Sequence, residues 1–251
     1  MPLDERAFAE ARRRVLGETT TSGGIGTLGE KALHRIIKLT AEPDESRHEI
    51  KVAGCVADVL NEDGITEIQT ANFSHLLPKL PKFLPLCPVH IAYPSPNERW
   101  IDPETGEMTE RRRSPKKGSI ADAFRELYTV RNCLLDERLT LSLVFLNVED
   151  YRLRNGWDKT GKRGSHKVER LPLSIERQIT LKTADDYRAV FLPADLPRPF
   201  TVGQYRKYWH TTYRAAYTGI RILTDLHLLE RIGKQGREYL FSDASENSES
   251  L

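Results

Sequence analysis

The stretch HEIKVAGCVADVLNEDGITEIQT, residues 48–70, predicts three short strands with a turn between the second and the third. The composition of residues 61–64, NEDG, is typical of a tight turn. Because residues two apart in a strand face the same way, Glu67 and Gln69 share one face, and pairing through the turn brings Asp58 beside them. The sequence therefore predicts that two carboxylates and one amide oxygen converge on one spot.

Carboxylates near a hydrophobic core are costly unless their charge is compensated. Mg²⁺, or Mn²⁺ in its place, would compensate Asp58 and Glu67, because a hard divalent cation takes oxygen ligands. The alternative is a hairpin whose acidic face is simply solvated. The spacing is compatible with both interpretations, so the metal site is a hypothesis at this point.

The order of these residues resembles the PD-(D/E)xK nuclease superfamily, in particular its competence-protein-like members. Three segments carry the resemblance: VADV at 56–59, TEIQT at 66–70, and the helical pattern ExxxHxxxK at 30–38. The resemblance covers about residues 26–93. It implies an α/β fold with a restriction-endonuclease-like core, in which a mixed sheet is flanked by helices.

The resemblance also implies roles for individual residues. Asp58 and Glu67 would ligate Mg²⁺ together with the backbone carbonyl of Ile68, and Glu30 would be a further catalytic carboxylate. Gln69 is the fourth catalytic candidate, and it stands where the family usually has a lysine. Glutamine can hydrogen-bond an attacking water but supplies no positive charge. The secondary candidates for completing the site are His34, Lys38, Glu49 and Lys51.

Basic residues are clustered, although the formal net charge of the chain is only +2. Local clusters matter more for nucleic-acid binding than the total charge. The densest is RRRSPKKG at 111–118, which is interpreted either as a phosphate clamp or as a solvated loop. Its candidate nucleic-acid-binding residues are Arg111, Arg112, Arg113, Lys116 and Lys117.

Helical patterns near the C-terminus are followed by two strands that a Gly-Lys-Gln-Gly-Arg turn joins. This order resembles a winged helix-turn-helix domain, in which the last helix usually enters the major groove and the wing contacts the backbone or the minor groove. The alternative is a domain of the same shape that packs or binds a protein. The candidate nucleic-acid-binding residues are Arg214, Arg221, Lys234, Gln235 and Arg237.

Composition places the chain among globular proteins, because 39% of its 251 residues are hydrophobic and 29% are charged. No apolar run reaches membrane-spanning length and the N-terminus lacks a signal-peptide pattern, so we expect a cytoplasmic location without membrane association. Three widely spaced cysteines are expected to be reduced. The predicted organisation is an N-terminal helix with a flexible linker (1–25), a nuclease-like domain (26–150), a basic connector (151–182), a winged-helix-like domain (183–242) and a disordered tail (243–251).

Three functional hypotheses follow from these patterns. The first is a Mg²⁺-dependent deoxyribonuclease whose partner is DNA and which acts as a monomer or as a homodimer. The second is a nuclease-fold protein that binds DNA as a regulator or scaffold with little or no cleavage. The third is an interaction protein whose carboxylates form a structural metal site or a salt-bridge cluster.

Overall fold

The computed structural model describes residues 3–21, 32–103, 111–153 and 166–244, and the predicted catalytic residue Glu30 lies outside this part of the chain. The fold is α/β, as predicted, with a multi-stranded sheet flanked by helices. The chain divides into two compact units. Unit 1 comprises Met1–Thr70, Ala92–Gly118 and Val144–Ile179, and unit 2 comprises Ala71–Ile91, Ser119–Leu143 and Thr180–Leu251.

The helices and strands follow one another along the chain with short 3-10 turns between some of them. In chain order they are α1 (Glu5–Thr21), α2 (Ala32–Ala41), β1 (His48–Val52), β2 (Cys55–Asn61), β3 (Gly64–Ile68), α3 (Leu80–Phe83), β4 (Val89–Pro103), β5 (Arg112–Arg113), α4 (Phe124–Thr129), β6 (Leu139–Leu153), β7 (His166–Leu181), α5 (Ala184–Phe191), β8 (Phe200–Thr201), α6 (Val202–Tyr208), α7 (Tyr213–Asp225), β9 (Leu229–Gln235) and β10 (Glu238–Asp243).

The three strands predicted from residues 48–70 are present and form two successive antiparallel hairpins. Their sheet has the order β1-β2-β3-β4-β6-β7, with β5 paired to β4. The second hairpin turns at residues 62–63, because Asn61 pairs with Gly64. Gly64 has a φ of 115°, a backbone conformation that residues with a side chain rarely adopt. The predicted turn chemistry is therefore confirmed.

Helix α1 belongs to the core of unit 1, which differs from the prediction of a separate N-terminal segment. Phe8, Ala11 and Val15 recur at helical spacing and are at most 5% exposed, because they join the buried face of α2 in one hydrophobic cluster. The helix also continues through residues 17–21, where a flexible linker was predicted. Its Ala-, Arg- and Glu-rich sequence supports a helix, and the shared core outweighs the single glycine, Gly17.

The predicted basic connector, 151–182, is wrong as a description of residues 166–181, which form strand β7 next to β6. Residues 173–176 alternate between partly buried apolar side chains and exposed polar ones, which is the pattern of a half-buried strand. The basic character of the stretch is partly neutralised within the sheet. Arg170 donates to both carboxylate oxygens of buried Asp150, at 2.6 and 2.9 Å.

Unit 2 contains more of the chain than the predicted C-terminal domain, 183–242. Its segments 71–91 and 119–143 lie outside that range. The aromatic core explains why. Phe124 of α4 is 1% exposed and packs against aromatic rings from α5, α6 and the residue after α6. A helix from an earlier part of the sequence therefore completes the core of the C-terminal helices.

The predicted C-terminal helices and hairpin are all present. Thr183, Thr201 and Thr212 are the N-caps of α5, α6 and α7, and each hydroxyl accepts a backbone N–H bond of the first helical turn. Strands β9 and β10 pair antiparallel, and β8 pairs with the other edge of β10. The hairpin turn contains Gly236 with a φ of 62°. Most of the predicted tail, residues 245–251, lies outside the described chain.

His90 of β4 is a histidine whose ring packs inside unit 2. Its Nε2 lies 2.8 Å from Oγ of the fully buried Ser142. Burial lowers the pKa of His90 from an ordinary value of 6.5 to about 3, so the ring is neutral at neutral pH.

His90 should make the protein less stable in mild acid. Below pH 6.5 the unfolded chain binds a proton at this ring while the folded chain does not, so stability falls as the pH falls from 6.5 towards 3. Between pH 7.5 and pH 5 we expect wild type to lose about 1–2 kcal/mol more than His90→Gln. Urea unfolding at both pH values measures this difference, and equal losses in the two proteins would contradict it.

Candidate functional site

Strands β2 and β3 bring Asp58 and Glu67 together, as the sequence predicts. Val59 pairs with Thr66 in the antiparallel register, and Asp58 and Glu67 are the next residues of the two strands beyond that pair. Each residue also bonds to the other strand. The Ile68 N–H donates to Oδ2 of Asp58 at 2.7 Å, and the Asp58 N–H donates to Oε1 of Glu67 at 3.4 Å. The two carboxylates therefore share one location on the sheet.

The two carboxylates differ in their access to solvent. The Asp58 side chain is 17% exposed, whereas Glu67 is completely buried. Glu67 is flanked in β3 by Ile65 and Ile68, which are at most 2% exposed. Burying a carboxylate is costly unless hydrogen bonds or a positive charge compensate it. Asp58 is consequently the carboxylate that a ligand from solvent reaches first.

Helix α2 places its predicted polar face beside these strands. His34 Nε2 lies 3.4 Å from Asp58 Oδ2, with a quarter of the His34 side chain exposed. One helical turn later, Lys38 is buried and its Nζ lies 3.0 Å from Oε1 of Glu49. The opposite face of α2 carries Ile36 and other core residues, which fixes the orientation of the helix. His34, Lys38 and Glu49 are thus near the carboxylates as predicted secondary candidates.

The other predicted site residues, Gln69, Ile68 and Lys51, have fewer contacts that connect them to the two carboxylates. Gln69 follows β3, is partly buried, and donates its backbone N–H to the carbonyl of Ala92 at 3.0 Å. The Ile68 N–H donates to Asp58 Oδ2, whereas the group predicted to bind the metal is the Ile68 carbonyl. Lys51 is exposed and pairs with Val56, which is itself 43% exposed.

The described residues contain no cluster of three or more His, Cys, Asp or Glu side chains with an arrangement for holding a metal ion. Asp58 and Glu67 are two oxygen donors, which is the donor chemistry that Mg²⁺ takes, and Mg²⁺ commonly binds through one or two carboxylates plus water and substrate phosphate. The donor type of the residues therefore fits Mg²⁺.

Acidic residues that are distant in sequence neutralise much of the basic run 111–117. Arg111 pairs with Glu149 at 2.5 Å. Arg113 pairs with Glu98, and Lys117 Nζ lies 4.0 Å from the same carboxylate. The run contains no acid of its own, so only the pairing of strands could reveal these partners. Three of the five predicted phosphate contacts are consequently occupied by carboxylates.

Arg112 and Lys116 are the members of this run that remain exposed and form no ion pair with a described residue. Arg112 lies in β5, which pairs with β4 through Ile101. If the run contacts phosphate, these two side chains are the ones available without breaking an existing ion pair.

Helix α7 and the β9–β10 hairpin expose the cations predicted for them. Arg214 and Arg221 are exposed and seven residues apart, which places them on one face of α7. The hairpin exposes Lys234, Gln235 and Arg237 around its turn. These residues therefore have the accessibility that contact with a polyanion requires.

The sequence analysis missed two residues of this hairpin, Arg231 and Tyr239. Tyr239 is 40% exposed. The Arg231 guanidinium carbon lies 4.4 Å from the centre of its ring and Lys234 Nζ lies 5.1 Å from it. The signal was present in the hairpin register, which pairs Tyr239 directly with Lys234. An exposed aromatic ring with two cations is a suitable surface for stacking and phosphate contact.

No helix in the described ranges has both the length and the apolar character to cross a membrane.

Comparison with known proteins adds a family and one relative. The chain is 32% identical over 155 residues to an "Uncharacterized protein" of Treponema pallidum (strain Nichols), a match that covers 61% of this chain and 62% of that protein. The chain thus spans less than two thirds of the relative's length. No solved structure matches the chain. The family model described as "Domain of unknown function (DUF8091)" matches residues 31–182, which is more than half of the chain, and the protein therefore belongs to that family.

Proposed function

We propose that the protein is a Mg²⁺-dependent nuclease that hydrolyses phosphodiester bonds in DNA. The observation that carries this proposal is the juxtaposition of Asp58 and Glu67 on neighbouring strands, with hydrogen bonds from each strand to the carboxylate of the other. The order of α2 and the three strands β1–β3 also agrees with the PD-(D/E)xK resemblance. Fold resemblance alone would not support an activity, because one fold hosts many functions.

In the proposed site, Asp58 and Glu67 would hold the metal, with the carbonyl of Ile68 and Glu30 as the further donors that the resemblance implies. When bound, Mg²⁺ lowers the pKa of a coordinated water and neutralises charge on the scissile phosphate. His34 contacts Asp58 and restricts the orientation of its carboxylate, as outer partners of metal ligands commonly do. The amide oxygen of Gln69 would accept a hydrogen bond from the attacking water.

We further infer that α5, β8, α6, α7 and the β9–β10 hairpin form a winged helix that binds the DNA. Two observations support this proposal. The third helix, α7, exposes Arg214 and Arg221 on one face, and the hairpin exposes three cations and an aromatic ring. The short strand β8 between the first two helices pairs with β10, which completes a three-stranded sheet. The last helix then enters a groove while the hairpin contacts the backbone.

A second candidate function is DNA binding without cleavage, as a regulator or scaffold. The complete burial of Glu67 favours it, because a carboxylate without solvent access reaches a hydrated metal only if the surrounding strands shift. Gln69 also lacks the positive charge of the usual lysine.

Cleavage of labelled single- and double-stranded DNA, measured with Mg²⁺, Mn²⁺ or EDTA, separates the two candidates. The nuclease proposal expects fragments with either metal and none with EDTA. DNA binding that is equally strong in EDTA and produces no fragments with any metal would favour the second candidate. Absence of both binding and cleavage would contradict both and leave the carboxylates as part of an interaction protein.

Replacing Arg214 with Ala should weaken DNA binding by about fivefold to tenfold and reduce the dependence of log affinity on log salt by about one. The physical reason is the loss of one phosphate contact and of the counterion released there. Arg6→Ala is the matched control, because Arg6 is also an exposed arginine but lies on α1. Fluorescence anisotropy at several salt concentrations measures both quantities. Equal effects of the two substitutions would argue against a DNA-binding face on α7.

A further inference from the structure

The Lys38 side chain is buried in an unusual way for a lysine. It is 4% exposed, although it lies in the last turn of an amphipathic helix. Lysine is almost never fully buried unless its charge is paired, because desolvating an ammonium group is costly. One of its contacts is with Oε1 of Glu49, 3.0 Å away. A buried ammonium group therefore lies beside β1, the strand that pairs with β2, which carries Asp58.

Glu49 has a different character from the lysine it contacts. Its side chain is 67% exposed, so most of it is not packed. Its φ is 54°, in the left-handed region that a residue with a side chain rarely adopts. Glu49 lies between His48, which pairs with Val59 of β2, and Ile50, which pairs with Ala57. An exposed carboxylate on β1, the strand next to β2, thus pairs with a buried ammonium group.

Lys38 lies near the proposed site and is shielded from solvent. It lies one helical turn after His34, and His34 Nε2 is 3.4 Å from Asp58. Lys51, the other lysine considered for this role, is exposed. Carboxylate and phosphate oxygens are the same class of acceptor for an ammonium group. A phosphate oxygen in the place of the Glu49 carboxylate could therefore accept the same hydrogen bond from Lys38.

We propose that Lys38 is a phosphate-binding residue of this site and that the Glu49 carboxylate holds its anion position until a backbone phosphate of a nucleic acid displaces it. The inference rests on the proposed function and names the group that binds the substrate phosphate there. The exposed Glu49 side chain rotates away at little packing cost, and the lysine exchanges one anionic partner for another without becoming unpaired. Glu49 then competes with the substrate.

The test compares Glu49→Gln with Glu62→Gln, using the affinity for a fluorescein-labelled 16-nucleotide DNA at constant ionic strength and with EDTA present. Both substitutions remove one exposed negative charge. Glu62 pairs with Arg47, and its hydrogen bonds from Arg47 lower the pKa of Glu62 to about 2, so it is ionised as the control requires. We expect Glu49→Gln to bind about threefold more tightly than Glu62→Gln. In a Lys38→Met background, Glu49→Gln should have no such effect.

Equal affinities of Glu49→Gln and Glu62→Gln would overturn the inference, since the Glu49→Gln protein keeps the lysine and needs no change of fold. A second arm titrates inorganic phosphate against thermal unfolding of the same variants. A response to inorganic phosphate without a response to DNA would overturn the assignment to a nucleic-acid phosphate.

The cleavage assay separates this inference from the proposed function. If the wild-type protein cleaves DNA in a metal-dependent way but the Glu49→Gln and Glu62→Gln variants bind DNA equally well, the nuclease proposal is retained and Lys38 is rejected as its phosphate-binding residue. Tighter binding by Glu49→Gln alone, with no cleavage by any variant, would retain the phosphate site and reject hydrolysis. Failure of every variant to bind the DNA would reject both.

Discussion

Replacing Asp58 with Asn should reduce Mg²⁺-dependent DNA cleavage by about 100-fold or more, while DNA affinity in EDTA stays within about twofold of wild type. Asp58 is the more exposed of the two carboxylates and the one that His34 contacts. Asparagine has nearly the same shape and keeps an oxygen that can accept the bond from the Ile68 N–H, so the hairpin should be preserved. The lost quantity is the negative charge that a metal ligand supplies.

Asp63→Asn is the matched control for this substitution. Asp63 lies in the turn between the same two strands, is exposed, and loses the same charge when replaced. Initial cleavage rates and thermal unfolding should be measured for both variants. A folded Asp58→Asn protein that cleaves at the wild-type rate would remove the carboxylate pair from the mechanism. Unchanged DNA binding together with lost cleavage would place the pair in the chemical step.

Replacing Phe124 with Ala should lower the free energy of unfolding of unit 2 by about 3–5 kcal/mol. The ring is 1% exposed, and its centroid lies 5.4 Å from that of Phe191, 6.0 Å from Tyr205 and 6.2 Å from Trp209. Removing the ring leaves a cavity among three aromatic side chains, and no new interaction offsets the lost packing. Urea unfolding monitored by tryptophan fluorescence reports the change, because Trp209 belongs to this core.

Leu135→Ala in the same unit provides the comparison for Phe124→Ala. Leu135 is 42% exposed, so its truncation should change stability by less than about 1 kcal/mol. A loss of similar size for the two variants would show that the aromatic cluster does not hold the unit together.

Gly219 supplies an independent check on the same contact. Alanine is the better helix former by about 1 kcal/mol, yet a Cβ at this position would lie 2.7 Å from the Phe124 ring. We therefore expect Gly219→Ala to destabilise unit 2 by about 1–3 kcal/mol, against its intrinsic propensity. Combining it with Phe124→Leu, which shortens the opposing side chain, should cost less than the sum of the two single substitutions.

Local sequence patterns predicted the elements of the candidate site well. Alternation and turn composition located β2 and β3, and pairing through the turn placed Asp58 beside Glu67. Helical spacing placed His34 and Lys38 on one face of α2. These predictions succeeded because each depends on residues within about one hairpin or two helical turns.

Predictions that required distant partners were less complete. Glu98 and Glu149 neutralise much of the basic run, and both come from other strands of the sheet. Strand β7 was interpreted as a connector because its charged residues obscured the alternation of residues 173–176. The C-terminal helices were expected to form their own domain, although Phe124 from α4 completes their core.

The sequence by itself determined the α/β class, the hairpin that carries Asp58 and Glu67, and the caps of α5, α6 and α7, because short-range backbone sterics and hydrogen bonding dictate these features. Only the tertiary structure decided that Glu67 is buried while Asp58 is partly exposed. It also decided that Lys38 pairs with Glu49, whose backbone is in the left-handed conformation. Burial and charge pairing depend on which surfaces the packed helices and strands bring together, and a single segment of sequence does not contain that information.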